Sequence, residues 1–167
     1  MRLELCIADI TELNVDCIVN AAKPSLLGGG GVDGAIHKKA GFKLREYCAK
    51  LGGCKVGNAV LTPGFDLHAK YIIHTVGPRY LFKNQQEREQ LKKCYLSVLQ
   101  IATEQQIESI AFSNISTGAY GFPSDIAAEI SSNVILDHLL NNEYPRKVYI
   151  CCYDLKNFNA YIIKYRS

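Results

Sequence analysis

None of the seven cysteines forms a C-x-x-C pair, and no histidine stands near one at metal-ligand spacing. A thiol-ligated metal site or a redox dithiol therefore has no footing in the chain, and no metal or cofactor is expected. No apolar run approaches the roughly 18 residues of a membrane span. The opening stretch, MRLELCIADI, alternates polar and apolar residues and has no apolar core of a signal peptide. Internal repeats, low-complexity tracts and linkers are missing as well. The net charge of +3 is too mild to imply a nucleic-acid partner by itself. What remains is an ordinary composition, 48% hydrophobic and 21% charged over 167 residues. The expectation is one domain over residues 1–167, long enough to bury a core without staples. Cys151 and Cys152 sit side by side in an apolar run and read as buried thiols in a reducing compartment. The expected location is cytoplasmic, with the nucleus open if the source is eukaryotic.

Short apolar runs at Leu3–Ala8, Cys17–Asn20, Ala59–Thr62, Tyr71–Val76, Ser109–Ser113 and Lys147–Tyr153 have the pattern of strands buried on both faces. Helical stripes fall between them. Leu91, Tyr95, Val98, Leu99 and Ala102 predict an amphipathic helix over about residues 86–105. Ile126, Ile130, Val134 and Leu139 predict another from Ser124 onward, and Asp33 to Tyr47 reads as two helices broken near Gly41. Strands alternating with helices imply an α/β protein with a mainly parallel sheet between helical layers.

Between the second strand and the first helix lies NAAKPSLLGGGGVDGAIH, residues 20–37. Four consecutive glycines cost much entropy to order, so they make sense where backbone must turn with positive φ or approach something closely. A strand end, a glycine loop and a helix N-terminus together form an anion site common in open α/β sheets. A flexible turn is the plainer reading, but a turn needs one or two glycines rather than four. G-K-[ST] is absent, so the loop is no Walker motif. Gly29, Gly31 and Gly34 satisfy G-x-G-x-x-G, yet position 54, where a dinucleotide site wants an acid, is Cys in a loop-like LGGCKVG. A second loop, SNISTGAYGFPSD, follows the strand SIAFS and has the same character. Ser116, Thr117, Gly118 and Gly121 supply small residues and free N–H groups, and Tyr120 supplies an aromatic face. Two such loops suggest one elongated phosphate ligand held at the sheet's C-terminal edge.

In its motifs the chain resembles the macrodomains of the MacroD type. The elements are ADIT at 8–11, DCIVNAA at 16–22, LLGGGGVDGAIHKKAG at 26–41, AKYIIHTVGP at 69–78 and ISTGAYGFP at 115–123, in the family's order and spacing. The resemblance implies a three-layer α/β/α sandwich around a mixed, mainly parallel sheet. It implies binding of ADP-ribose and its derivatives, and hydrolysis of ADP-ribose esters: mono-ADP-ribosylated acidic side chains of proteins, and O-acetyl-ADP-ribose. No membrane or nucleic-acid partner is implied.

Residue by residue, the resemblance gives Asp9 and Ile10 to the adenine, although Asp9 by itself reads better as a turn or cap residue before Thr11. Asn20, Gly29, Gly30, Gly31 and Val32, with Ser116, Thr117, Gly118, Ala119 and Tyr120, are assigned to the diphosphate and distal ribose. Tyr153 would pack on the adenine; a core aromatic is the alternative. His74 reads as a structural histidine inside its strand, and His37 as a support for the site. Asp33 reads locally as a helix N-cap. The resemblance makes it the carboxylate that orients or activates a water for attack on the ester. The family's hydrolases carry N-A-A-N, whose second Asn contacts the distal ribose; this chain has N-A-A-K. Lys23, which stands at that catalytic position, has no acceptor atom and carries a charge. It can face solvent, pair with Asp33 or attract an anionic group. Two functions stay open: a hydrolase, favoured by Asp33 and Tyr120, and a non-catalytic ADP-ribose reader, favoured by Lys23.

Overall fold

The computed structural model describes residues 1–166. Six strands form one sheet: β1 (Leu3–Ile7), β2 (Cys17–Ala21), β3 (Ala59–Pro63), β4 (Tyr71–Thr75), β5 (Ser109–Phe112) and β6 (Lys147–Cys152). Their order is β1-β6-β5-β2-β4-β3. All neighbours pair in parallel except β3 and β4, which are antiparallel. The sheet is therefore mixed and mainly parallel, as the sequence implies. The helices are α1 (Gly31–Ala40), α2 (Phe42–Ala49), α3 (Gln85–Glu104), α4 (Ser124–Asn141) and α5 (Leu155–Arg166).

Successive side chains of a strand face opposite sides of a sheet, and the two cores follow that rule. Ile18 and Ile72 pack with Leu26, Ile36 and Leu44 under α1 and α2. Their neighbours Val19 and Ile73 pack with Leu91, Leu99, Ile135 and Tyr161 under α3, α4 and α5. Burying each such aliphatic side chain contributes about 1.5–3 kcal/mol, so the apolar strand runs dictate a helical layer on each face. The break between α1 and α2 falls at Gly41, whose φ of +91° suits glycine and where a Cβ would meet the Asp66 carboxylate at 2.9 Å.

Two elements were not legible in the sequence. A 3-10 turn at Ile10–Glu12 follows β1, and α5 closes the chain. The parallel strands β1, β2, β5 and β6 all run in one direction. Asp9, Lys23, Asn114 and Tyr153 consequently emerge along one edge of the sheet.

Candidate active site

The glycine run is not uniform. Gly28 and Gly31 have φ of +94° and +57°, so positive φ accounts for two of the four. Gly28 also abuts the His37 ring, whose Cγ would lie 3.3 Å from an added Cβ. Gly29 is needed for close approach: a Cβ there would stand 2.6 Å from Lys23 Cε, 3.0 Å from Lys23 Nζ and 3.1 Å from Asp33 Oδ2. Gly34, in the first turn of α1, backs directly onto the Gly29 carbonyl oxygen. Gly30 is extended (φ −94°, ψ −175°), and nothing lies within 4 Å of its would-be Cβ. Positive φ is thus not its reason for being glycine. Buried Leu26, itself left-handed at φ +65°, plugs the loop into the α1–α2 core.

Gly30 is the N-cap of α1, and its carbonyl accepts the first helical bond from Gly34 N–H at 3.2 Å. The N–H groups of Gly31, Val32 and Asp33 precede that bond and have no acceptor in the helix. They form a main-chain anion cradle with no lysine in it. Asp33 is therefore not the N-cap that its local sequence suggests; it is the third residue of the helix, and its side chain turns inward.

Asp33 is only 3% exposed. Its Oδ1 accepts a 2.8 Å hydrogen bond from Asn20 Nδ2 and lies 3.5 Å from His37 Nε2, while Oδ2 has no hydrogen-bond partner among the described residues. Asn20 Nδ2 also lies 3.1 Å from His74 Nδ1. An amide nitrogen only donates, so His74 Nδ1 accepts and its proton sits on Nε2. That Nε2–H donates to Thr62 Oγ1 at 2.9 Å, and Thr62 donates on to the Pro63 carbonyl at 3.2 Å. Burial pushes the His74 pKa down to about 3, with His37 adding to the shift, so the ring is neutral. His37 is lowered too, first by burial, with Asp33 opposing and Arg45 adding to the fall. A buried chain of hydrogen bonds thus runs from edge strand β3 through β4 and β2 to the carboxylate, holding Oδ1 and leaving Oδ2 for chemistry.

The second loop is set by Ser116, buried and left-handed at φ +67°, whose Oγ has no partner and sits against Gly77. Phe122 N–H donates to the Ser116 carbonyl at 2.9 Å, and Gly121 N–H to that of Gly118 at 3.0 Å. Tyr120 is tied to the chain after β4 by Tyr80 N–H to its carbonyl at 2.9 Å, with the Arg79 guanidinium 4.9 Å from its ring centre.

A cleft of about 520 Å³ lies between the loops and the ends of β1, β5 and β6. Asp9, Ile10, Gly31, Val32, Thr117, Gly118 and Tyr153 line it. Asn20, Lys23, Gly29, Gly30, Asp33, Ser116, Ala119 and Tyr120 are not among its lining: Asn20, Asp33 and Ser116 are buried, Asn20 within β2, and the others belong to the two loops that flank the cleft. A larger, more open hollow of about 750 Å³ lies off β3, beside α3 and the chain after α2. None of the candidate residues lines it, and it is away from the parallel strand ends where such ligands bind.

Asp9 serves its local role and keeps an oxygen spare. Its Oδ1 accepts from Thr11 N–H at 3.0 Å and Thr11 Oγ at 2.7 Å, capping the 3-10 turn. Tyr153 is 82% exposed at the end of β6, which rules out the core-aromatic alternative. Sequence reasoning missed Asn114, Asp154 and Asn157, which also line the cleft. Asp154 Oδ1 accepts from both the N–H and Nδ2 of Asn157 at 2.9 Å, capping α5. Asp154 three residues before Asn157, followed by Phe158 and Tyr161, is the signal that could have revealed that helix.

Fold and site together define an α/β/α protein whose strand ends and helix N-terminus border one cleft, the arrangement of an anion site. The family model described as Macro domain matches residues 19–131, and the chain belongs to that family. A macro domain-containing protein of Methanosarcina mazei is 50% identical over 92% of this chain and 82% of its own length. The O-acetyl-ADP-ribose deacetylase of Escherichia coli K12 is 44% identical over 96% of this chain and 93% of its own. Among solved structures, a glycine-to-valine variant of the Oceanobacillus iheyensis macrodomain with ADPR superposes at a TM-score of 0.94, with 36% identity over 98% of this chain and 91% of that one. Variants of the same protein at an asparagine seven residues before that glycine and an aspartate three after it are similar too. Lys23, Gly30 and Asp33 have the same spacing here.

Proposed function

We propose that this chain binds ADP-ribose and hydrolyses its esters, O-acetyl-ADP-ribose and ADP-ribose linked to acidic side chains of proteins. The observation that carries the reading is the Asp33 carboxylate, anchored through Oδ1 and unpartnered at Oδ2, beside two amide-rich loops that fit a diphosphate. The cradle at the start of α1 and the Thr117–Gly118 wall hold the diphosphate. Asp9 offers its free oxygen to the adenine amino group, and Tyr153 offers its ring face. Asp33 Oδ2 takes a proton from the attacking water. The deacetylase relatives at 44–46% identity support the reaction class, and macrodomains of O. iheyensis and Trypanosoma brucei solved with ADPR or ADP-ribose support the ligand. The cysteines, all free thiols, fit a reducing cytoplasmic setting.

A reader without turnover is the second reading, favoured by the exposed Lys23, which makes no ion pair among the described residues, where the family's hydrolases have Asn. Calorimetry with ADP-ribose and release of ADP-ribose from a glutamate-modified protein separate the two. Saturable binding with release supports the hydrolase, binding without release supports the reader, and no binding up to millimolar ligand defeats both.

A further inference from the structure

Lys23 and Asp33 converge on Gly29. A single point, the Cβ that Gly29 lacks, lies 3.0 Å from Lys23 Nζ and 3.1 Å from Asp33 Oδ2. Yet the two groups do not pair. Among the described residues, the ionic neighbour of Asp33 is His37, and no acidic side chain lies within ion-pair distance of Lys23. The ammonium and the carboxylate thus converge on one residue while standing beyond ion-pair distance of each other, close enough for one polar ligand to touch both. Glycine at position 29 lets the Lys23 stem lie there, because a side chain would collide with its Cε. The buried oxygen is also one that needs a partner: an unsatisfied buried carboxylate oxygen costs free energy that a bound water or ligand group returns.

We propose that Lys23 is a catalytic residue, the electrophilic partner of Asp33 in ester hydrolysis; this rests on the hydrolase reading above. The water sits on Asp33 Oδ2, and the ester carbonyl oxygen points at Lys23 Nζ. Water oxygen bonds to the acyl carbon as its proton passes to Asp33. The carbonyl π pair moves onto oxygen, and the oxyanion forms against the ammonium. The tetrahedral species then collapses: the bond from acyl carbon to ribose oxygen breaks, and Asp33 returns the proton to that ribose oxygen. The products are ADP-ribose and the free carboxylic acid, which loses its proton to solvent. The chain thereby uses a full positive charge where an Asn amide would offer a dipole. A charge aimed at the oxyanion acts mainly in the transition state, so it raises kcat rather than tightening binding.

The test uses the intact protein with O-acetyl-ADP-ribose, measuring kcat and KM, and ADP-ribose Kd by calorimetry, for wild type, Lys23→Met, Lys23→Arg and Lys23→Asn. Lys23 is exposed, so none of the three should disturb folding. The inference expects Lys23→Met to lower kcat by about 10²-fold, the usual loss of one oxyanion donor, with KM and Kd within about threefold. Lys23→Arg, which keeps the charge, should recover part of that loss, and the Asn variant should not exceed wild type. A Met variant within twofold of wild type, or an Asn variant faster than wild type, overturns the inference alone. Wild type that binds ADP-ribose but shows no turnover overturns the hydrolase reading and the inference with it.

Discussion

The two ends of the site are built on opposite terms. At the β1–β6 end, Asp9 is exposed, Tyr153 is 82% exposed, and the Asp9 carboxylate is held by its bonds to Thr11. At the other end, Asp33 is 3% exposed and rests on a buried chain through Asn20, His74 and Thr62 that crosses three strands. The first arrangement presents contact surface at little cost to the fold. The second fixes one oxygen in the core so that the other keeps a defined position, as a general base requires. Affinity should therefore be separable from rate, and rate should be tied to stability in a way that affinity is not.

Four substitutions break or sharpen that contrast. The largest effect is expected from Asp33→Asn, which keeps an acceptor for Asn20 but removes the base. Turnover of O-acetyl-ADP-ribose should fall by about 10²–10⁴-fold, while ADP-ribose still binds in calorimetry. At the other end, Asp9→Ala removes a carboxylate hydrogen bond to the ligand and should cost about 1.5–3 kcal/mol of affinity. Its melting temperature should fall only slightly, as loss of a single cap on a 3-10 turn implies.

His74→Phe tests whether the buried chain matters to the chemistry. It leaves Asn20 Nδ2 and Thr62 Oγ1 short of partners, for a loss of about 2–4 kcal/mol in denaturant unfolding. It should also lower kcat about tenfold by loosening Asp33. A pH series adds a distinct signature. The native His74 pKa is about 3, well below the ordinary 6.5, so between those values the unfolded chain binds a proton that the folded chain refuses. Stability is therefore full above pH 6.5 and falls as the pH drops from there toward 3, at up to about 1.4 kcal/mol per pH unit from this group. Removing the ring should make that acid limb shallower. An unchanged limb would mean that His74 is not the group that titrates.

The smallest effect is expected at Gly30. Extended, and with open space where a side chain would go, Gly30→Val should keep ADP-ribose affinity within a few-fold and melting within a few degrees. A complete loss of binding would mean that the ligand presses on this residue as it does not on Gly31.

That last prediction reverses what the bare glycine run suggests, and it marks where sequence reasoning stops. The run, its strand and its helix were legible, because four glycines after an apolar strand leave few structural options. The division of labour within the run was not, since φ at each position depends on how Leu26 and His37 brace the loop. Asp33 was legible as a key residue but misread as a cap, because glycine at the true cap gives no side-chain signal. The chain behind it was invisible: Asn20 and His74 lie 54 residues apart and meet only through the β2–β4 register, and Thr62 joins from antiparallel β3. Helix α5, LKNFNAYIIKYR, mixes two Asn and two Lys among its apolar residues, and its cleft residue Asn157 stood out only through its spacing from Asp154.

The most direct test crosses the two ends: kcat for O-acetyl-ADP-ribose and Kd for ADP-ribose, measured together for Asp9→Ala and Asp33→Asn. The division described here predicts a double dissociation, with Asp9→Ala weakening Kd at nearly unchanged kcat and Asp33→Asn collapsing kcat at nearly unchanged Kd. Equal losses of kcat in both variants, or loss of ADP-ribose binding in Asp33→Asn, would contradict it.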